Sequence, residues 1–145
     1  MEELYELVRR FRTAIDIAVE NEEFSLSDRF HRFPRGCCDD ACDLLGQYLS
    51  EYGIQTRQFQ GTYRDGSFDD ITGHAWLLLE DDTIIDITGD QFKHDPVFLK
   101  FSEEVYIGQE IEFHRLFDQD RICNNCSVYH TPRLFDLYQI IRRHI

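Results

Sequence analysis

The sequence is short of positive charge. Fifteen Lys and Arg face 28 Asp and Glu, which leaves a formal net charge of −13 and a pI of about 4.7. A surface of that sign repels phosphate backbones and anionic membrane surfaces, so neither nucleic acid nor a membrane is an expected partner. A protein with a basic surface would suit it better. The chain also lacks any run approaching the ~20 apolar residues that a bilayer crossing takes. Met1 to Glu23 scatters Glu and Arg among its apolar residues and has no uninterrupted apolar core, so it does not read as a signal peptide. The five cysteines are odd in number and unevenly spaced, unlike a secreted disulfide framework, and a reducing cytoplasm is the expected location. No repeat, linker or low-complexity stretch is visible.

What is present suffices for a core. The 145 residues are 42% hydrophobic and 14% aromatic, which suits one compact domain over 1–145. Leu4, Leu7, Val8, Phe11, Ala14, Ile15 and Ala18 recur at helical spacing and predict an amphipathic helix from 2 to about 21. Residues 24–36 read as a loop. A second helix carries Ala41, Leu44, Leu45, Tyr48, Leu49 and Tyr52 on one face and stops at Gly53. From Ile54 the period becomes two. Strands are predicted over 54–63, 73–80 and 83–88, with a turn at Arg64-Asp65-Gly66-Ser67. A long connection broken by Pro96 follows, then a short strand at Val105-Tyr106-Ile107, an ambiguous stretch over 109–117 and a closing helix in the last dozen residues. The expected class is α+β with an antiparallel sheet.

The chemistry is carried by three blocks. Arg35-Gly36-Cys37-Cys38-Asp39-Asp40 opens the second helix, and a thiol in a first helical turn gains from the exposed N–H groups and the macrodipole when it ionises. Asp39 and Asp40 act against that by charge. Periodicity does not separate Cys37 from Cys38, since at ~100° per residue each sits a similar angle from the centre of the stripe. Free cysteines also serve simply as core packing. Of six histidines, His31, His94 and His114 lie in polar or irregular stretches and His130 and His144 near the C-terminus. His74 alone opens an apolar strand, with Trp76 on the same face and able to screen the imidazole. Asp86 interrupts the apolar run Thr83-Ile84-Ile85-Asp86-Ile87, which is costly unless it is paired; the bland reading is a solvent-facing strand position. Pairing His74 with Asp86 requires a loop of odd residue count, or a bulge, near Glu80 to Thr83. A two-residue turn would put them on opposite faces.

With Cys, His and Asp in that order, Arg35-Gly36-Cys37-Cys38, Gly73-His74-Ala75-Trp76 and Asp86-Ile87-Thr88 resemble the transglutaminase-like and papain-fold cysteine hydrolase superfamily, particularly small bacterial domains whose third block reads like Asp86-Ile87-Thr88-Gly89-Asp90-Gln91-Phe92. The blocks span 35–92, under half of the chain. The resemblance implies N-terminal helices with the nucleophile helix packed on an antiparallel sheet that bears His and Asp. It favours Cys38 as nucleophile, through G-x-C spacing, with His74 and Asp86 completing a catalytic triad. It also implies a cysteine peptidase or amidase, or a transglutaminase- or deamidase-like enzyme, acting on peptide or protein amides through a thioester, with no cofactor and no catalytic metal. No glutamine precedes the cysteine, which departs from the papain pattern. The backbone N–H of Cys38 is one oxyanion donor, and Gln91 is either a second or a cap on the strand end.

Two rival readings stand beside this one. Cys123-x-x-Cys126 has the spacing of half a structural zinc site, which Cys38 and Cys42 would complete. A catalytically inactive, acidic binding or immunity-type module of the same fold would keep the three residues without using them.

Overall fold

The computed structural model describes residues 2–64, 71–95, 101 and 103–145. Among these, four α-helices and five antiparallel strands form an α+β fold. Helix α1 (Glu2–Glu20) buries the predicted stripe completely at Val8, Phe11, Ala14, Ile15 and Ala18. It packs against α2 (Cys38–Ser50) and α4 (Pro132–Arg142), the latter started by a proline at a position whose N–H needs no partner. After α2, Gly53 takes the left-handed conformation (φ 77°) that ends the helix. Tyr52, assigned by period to the buried face, lies past the helix end and is half exposed.

The sheet runs in the order β4-β3-β2-β1-β5, with β1 at Arg57–Arg64, β2 at Ile71–Leu78, β3 at Ile84–Asp86, β4 at Tyr106–Gly108 and β5 at Asp118–Cys123. Its two faces differ. Ala75 and Leu77 of β2, with Ile85 and Ile87, join the helical core around Phe11, Leu44, Tyr48 and Tyr138. Trp76, Leu78 and Ile84 point the other way into a second cluster completed by Phe92, Phe101, Phe113 and Phe117. Period-two alternation thus sends neighbouring residues of β2 to two different cores.

The boundaries differ from the sequence expectation in instructive places. β1 begins at Arg57 rather than 54, because Ile54 is still bonded back to the Leu49 carbonyl at 3.0 Å in the turn that closes α2. β3 stops at Asp86, since the chain then turns into a 3-10 segment over Gly89–Phe92. The ambiguous 109–117 stretch contains α3 (Glu112–Arg115). β5 was not anticipated: Asp118-Gln119-Asp120-Arg121-Ile122-Cys123 has no apolar alternation, being an exposed edge strand with a bulge opposite Gln60/Gly61. Charged side chains on such an edge discourage pairing with other chains, and they also erase the strand signal. The expected turn at 64–67 and the break at Pro96 fall outside the described residues, apart from Arg64, the last residue of β1.

One buried cation ties α1 to the loop after β3. Arg12 donates through Nε to both Asp16 oxygens at 3.1 and 3.2 Å, and through Nη1 to Asp90 Oδ1 at 3.0 Å and to the carbonyls of Ile87 at 2.7 Å and Glu104 at 3.1 Å. Nη2 donates to Asp90 Oδ2 at 2.9 Å, and the guanidinium lies over the Phe33 ring at 4.8 Å. Both partners of the Arg12–Asp90 pair are nearly inaccessible, with side chains 4% and 6% exposed. Removing the cation leaves Asp90 charged and unpaired inside, so Arg12→Ala is expected to cost about 3–5 kcal/mol of unfolding free energy in urea titrations. A loss below about 1 kcal/mol would show that the pair does not hold this loop.

Candidate active site

The turn between β2 and β3 settles whether His74 and Asp86 can meet. Leu79 N–H bonds to the Thr83 carbonyl at 2.9 Å and Asp82 N–H to the Leu79 carbonyl at 3.0 Å, enclosing the three residues Glu80-Asp81-Asp82. Asp82 adopts φ 67°, the left-handed residue that closes such a three-residue hairpin loop. The odd count, with Leu77 opposite Ile85, puts Asp86 on the same face of the ribbon as Trp76 and His74.

There the two side chains are fully buried and bonded: His74 Nε2 donates to Asp86 Oδ2 at 2.8 Å. The same oxygen accepts from His114 Nε2 at 3.3 Å, and Asp86 Oδ1 accepts the Thr88 N–H at 3.1 Å. An ionised carboxylate has only acceptors, so both imidazoles present an N–H to it. Burial by itself drives the Asp86 carboxyl toward its neutral form. The charge of His74 and the hydrogen bonds from His114 and His74 outweigh burial and hold the carboxyl well below its ordinary range. For His74, burial likewise opposes charge, but the Asp86 carboxylate and the Cys38 thiol win and raise the imidazole to about 9.

His114 is the residue that sequence reasoning placed wrongly, in an irregular polar stretch. It is 1% exposed, presented by the single turn of α3. Its ring lies 4.7 Å from Trp76, 5.0 Å from Tyr106 and 5.7 Å from Phe101, centroid to centroid. The flanking Phe113 and Phe117, both buried, were the available signal: a polar residue between two core aromatics on a short helical segment. Trp76 screens His74 as expected, 5.4 Å away and stacked on Phe59 at 4.3 Å. Phe92, Phe113 and Phe117 complete an aromatic wall at 5.1–5.6 Å from His74.

The two candidate cysteines part company here. Cys37 caps α2 with no exposure, its thiol bonded to the carbonyls of Arg35 at 3.3 Å and Arg29 at 3.4 Å. Burial, helped by the charge of Asp40, pushes that thiol up to about 12, which makes it inert at neutral pH. Cys38 is the first residue of α2, remains partly exposed and is the thiol that interacts with His74. Because Asp86 occupies Nε2, the nitrogen left for Cys38 is Nδ1. That atom is buried and completes no hydrogen bond of ordinary geometry in the resting structure. Such contacts often tighten only when substrate is bound. Cys42 is buried one turn on, its thiol raised well above the usual range by burial.

The aspartates that weaken a thiolate on paper are largely neutralised. Asp40 receives Nε and Nη2 of Arg29 at 2.8 and 3.0 Å, and both terminal nitrogens of Arg133 at 3.0 and 2.8 Å. Arg133 also clamps Asp28, and Asp39 faces Arg29 at 3.9 Å. Gly36, at φ 69°, lets the chain turn sharply into the helix. Gln91, the second oxyanion candidate, donates to the Thr88 carbonyl at 3.0 Å and accepts the Gly36 N–H at 3.3 Å. Its amide therefore joins the loop before Cys38 to the loop after Asp86.

The zinc alternative finds no matching geometry. Cys42 is buried in the helical core, whereas Cys126 is exposed, and among the described residues no three His, Cys, Asp or Glu side chains gather as metal ligands. Nor, among the described residues, is any helix long and apolar enough to cross a membrane. No protein-family model matches the chain, and no curated protein or solved structure is significantly similar to it.

The raised His74 and lowered Asp86 define a pH window. The contribution linked to His74 is complete below the ordinary imidazole value of 6.5 and fades as pH rises through about 9. Asp86 contributes fully above its ordinary 3.8, and that part is lost as pH falls below it. His74 is expected to titrate near 9 by NMR in the native protein and well below that in Asp86→Asn, where only Cys38 still opposes burial. An unshifted His74 in the variant would rule out the carboxylate as the cause.

Proposed function

We propose that the chain is a cysteine-dependent hydrolase or acyl transferase acting on amide bonds of peptide or protein substrates, built as a papain- or transglutaminase-like domain. The observation that carries this reading is a fully buried imidazole with a buried carboxylate bonded to one nitrogen, the other nitrogen left without a hydrogen bond, and a partly exposed thiol at the start of α2 that helps raise the imidazole pKa. Core packing requires neither the buried Asp86 nor its two histidines. Buried titratable groups perturbed by both burial and a charge partner cluster at sites that do chemistry.

In this mechanism Cys38 and His74 stand as a thiolate–imidazolium pair, the proton resting on the imidazole that Asp86 keeps charged, and the thiolate attacks the carbonyl carbon of the amide. The tetrahedral oxyanion is met by the Cys38 backbone N–H, which lies in the first turn of α2 where a helix offers no acceptor of its own. Collapse breaks the C–N bond, the leaving amine takes the proton from His74, and an acyl-thioester remains on Cys38. Water then gives hydrolysis or deamidation, whereas a second amine gives acyl transfer. Asp86 keeps the His74 ring oriented and favours its protonated form, and His114 and Thr88 fix Asp86 in turn.

Cys38→Ala should lower turnover of a peptide or glutamine substrate at least about a thousandfold with the fold intact, whereas Cys37→Ala should retain most of it. In the native enzyme kcat/KM should fall as pH rises past about 9, where His74 loses its proton. Independently of substrate, Cys38 should be alkylated by iodoacetamide faster than a free thiol at pH 6, an advantage lost in His74→Ala. Slow labelling that His74→Ala leaves unchanged would overturn the catalytic reading in favour of a binding module.

A further inference from the structure

The basic residues that this acidic chain does possess are not spread evenly. The segment Arg29-Phe30-His31-Arg32-Phe33-Pro34-Arg35, just before the cysteines, holds three of the 15 Lys and Arg and no acid. Arg29 is committed to Asp40, but Arg32 and Arg35 are exposed. The bond from Gly36 N–H to Gln91 brings a second segment alongside, where Lys93 and His94 are also exposed. The side chains of Arg32, Arg35, Lys93 and His94 make no ion pair or hydrogen bond with another described residue. The nearby acids Asp28, Asp39 and Asp40 are answered by Arg29 and Arg133. Asp95, next to His94, has contacts of its own. At the exposed Gly36 itself, a side chain would meet no atom within 4 Å.

We infer that the two segments flanking Cys38 form a cationic rim that selects substrates carrying carboxylates beside the bond to be cut, that is, acidic peptides. This deepens the hydrolase reading and rests on it for the word substrate. Elsewhere the negative surface repels such peptides, so uncompensated positive charge at the mouth is what would draw them to the thiol. A rim contributing only to folding would have its guanidiniums paired, as those of Arg12, Arg29 and Arg133 are.

Iodoacetate and iodoacetamide differ in charge and alkylate a thiolate by the same displacement of iodide, so the ratio of their rates at Cys38, read by peptide mass spectrometry, reports the local potential without any turnover. The ratio is expected to exceed that of N-acetylcysteine by about threefold or more at low salt and to shrink at high salt. It should fall below that of N-acetylcysteine in the Arg32→Glu/Arg35→Glu variant, which leaves His74 in place. Exposed Cys126, beside the Asp43 carboxylate, is the internal control with the opposite preference. In peptide assays, Asp or Glu next to the scissile amide should raise kcat/KM over Lys at the same position, and the double variant should reverse that order. A native ratio at or below that of N-acetylcysteine, or one that the double variant does not change, overturns the rim. The catalytic reading fails on a different result, an absolute iodoacetamide rate at Cys38 that His74→Ala does not alter.

Discussion

A carboxylate with no contact with solvent organises this structure. Asp86 would be among the most expensive side chains in the molecule if it stood alone, and every neighbour within reach answers it: two imidazole N–H groups on one oxygen and a backbone N–H on the other. To make those bonds, the β2–β3 loop must hold three residues and α3 must deliver His114. The chain after β3 must also turn back at once, so that Thr88 can donate. The aromatic wall of Trp76, Phe92, Phe113 and Phe117 removes competing water and makes the charge interactions inside it stronger. The geometry that stabilises the ion also orients His74, because one imidazole nitrogen is pinned to Asp86 and only the other is left without a hydrogen bond.

The same economy governs the acidic residues around the thiol. Arg12 collects Asp16, Asp90 and two carbonyls, and so anchors the loop leaving Asp86 to the first helix. Arg29 and Arg133 converge on Asp40, joining the loop before Cys38 and the last helix to the start of α2. A helix start that looks hostile to a thiolate is thereby made close to neutral. Apart from the Arg12–Asp16 pair within α1, these clamps come from residues 11 to 93 positions away along the chain, which is why they are not visible as a local pattern.

How much was legible depended on the kind of signal each residue left. Helices α1 and α2 were readable because one apolar stripe each faces one core, and His74 stood out because it opens an apolar strand. Asp86 was suspicious for the same reason, and the parity of the turn stated what geometry would decide the matter. β5 was invisible because its stability comes from backbone pairing to β1, while its side chains face water. His114 was missed because four residues of helix carry no period, and because its burial depends on Phe101 and Tyr106 folding over it. Cys37 and Cys38 were equivalent by periodicity and became different only through their surroundings, one closed over by carbonyls and the other left beside an imidazole.

By itself the sequence determined the layers: two amphipathic helices, an alternating sheet and a closing helix follow from hydrophobic period, which acts between residues a few positions apart. It also determined which side chains had the chemistry for nucleophile, base and carboxylate. Only the tertiary structure decided that His74 and Asp86 share a face, that His114 joins them, that Cys37 is closed off while Cys38 stays partly exposed, and that the neighbouring aspartates are answered by arginines. Those outcomes depend on desolvation and on charges brought together from distant segments, and such interactions come into being only when the chain is folded.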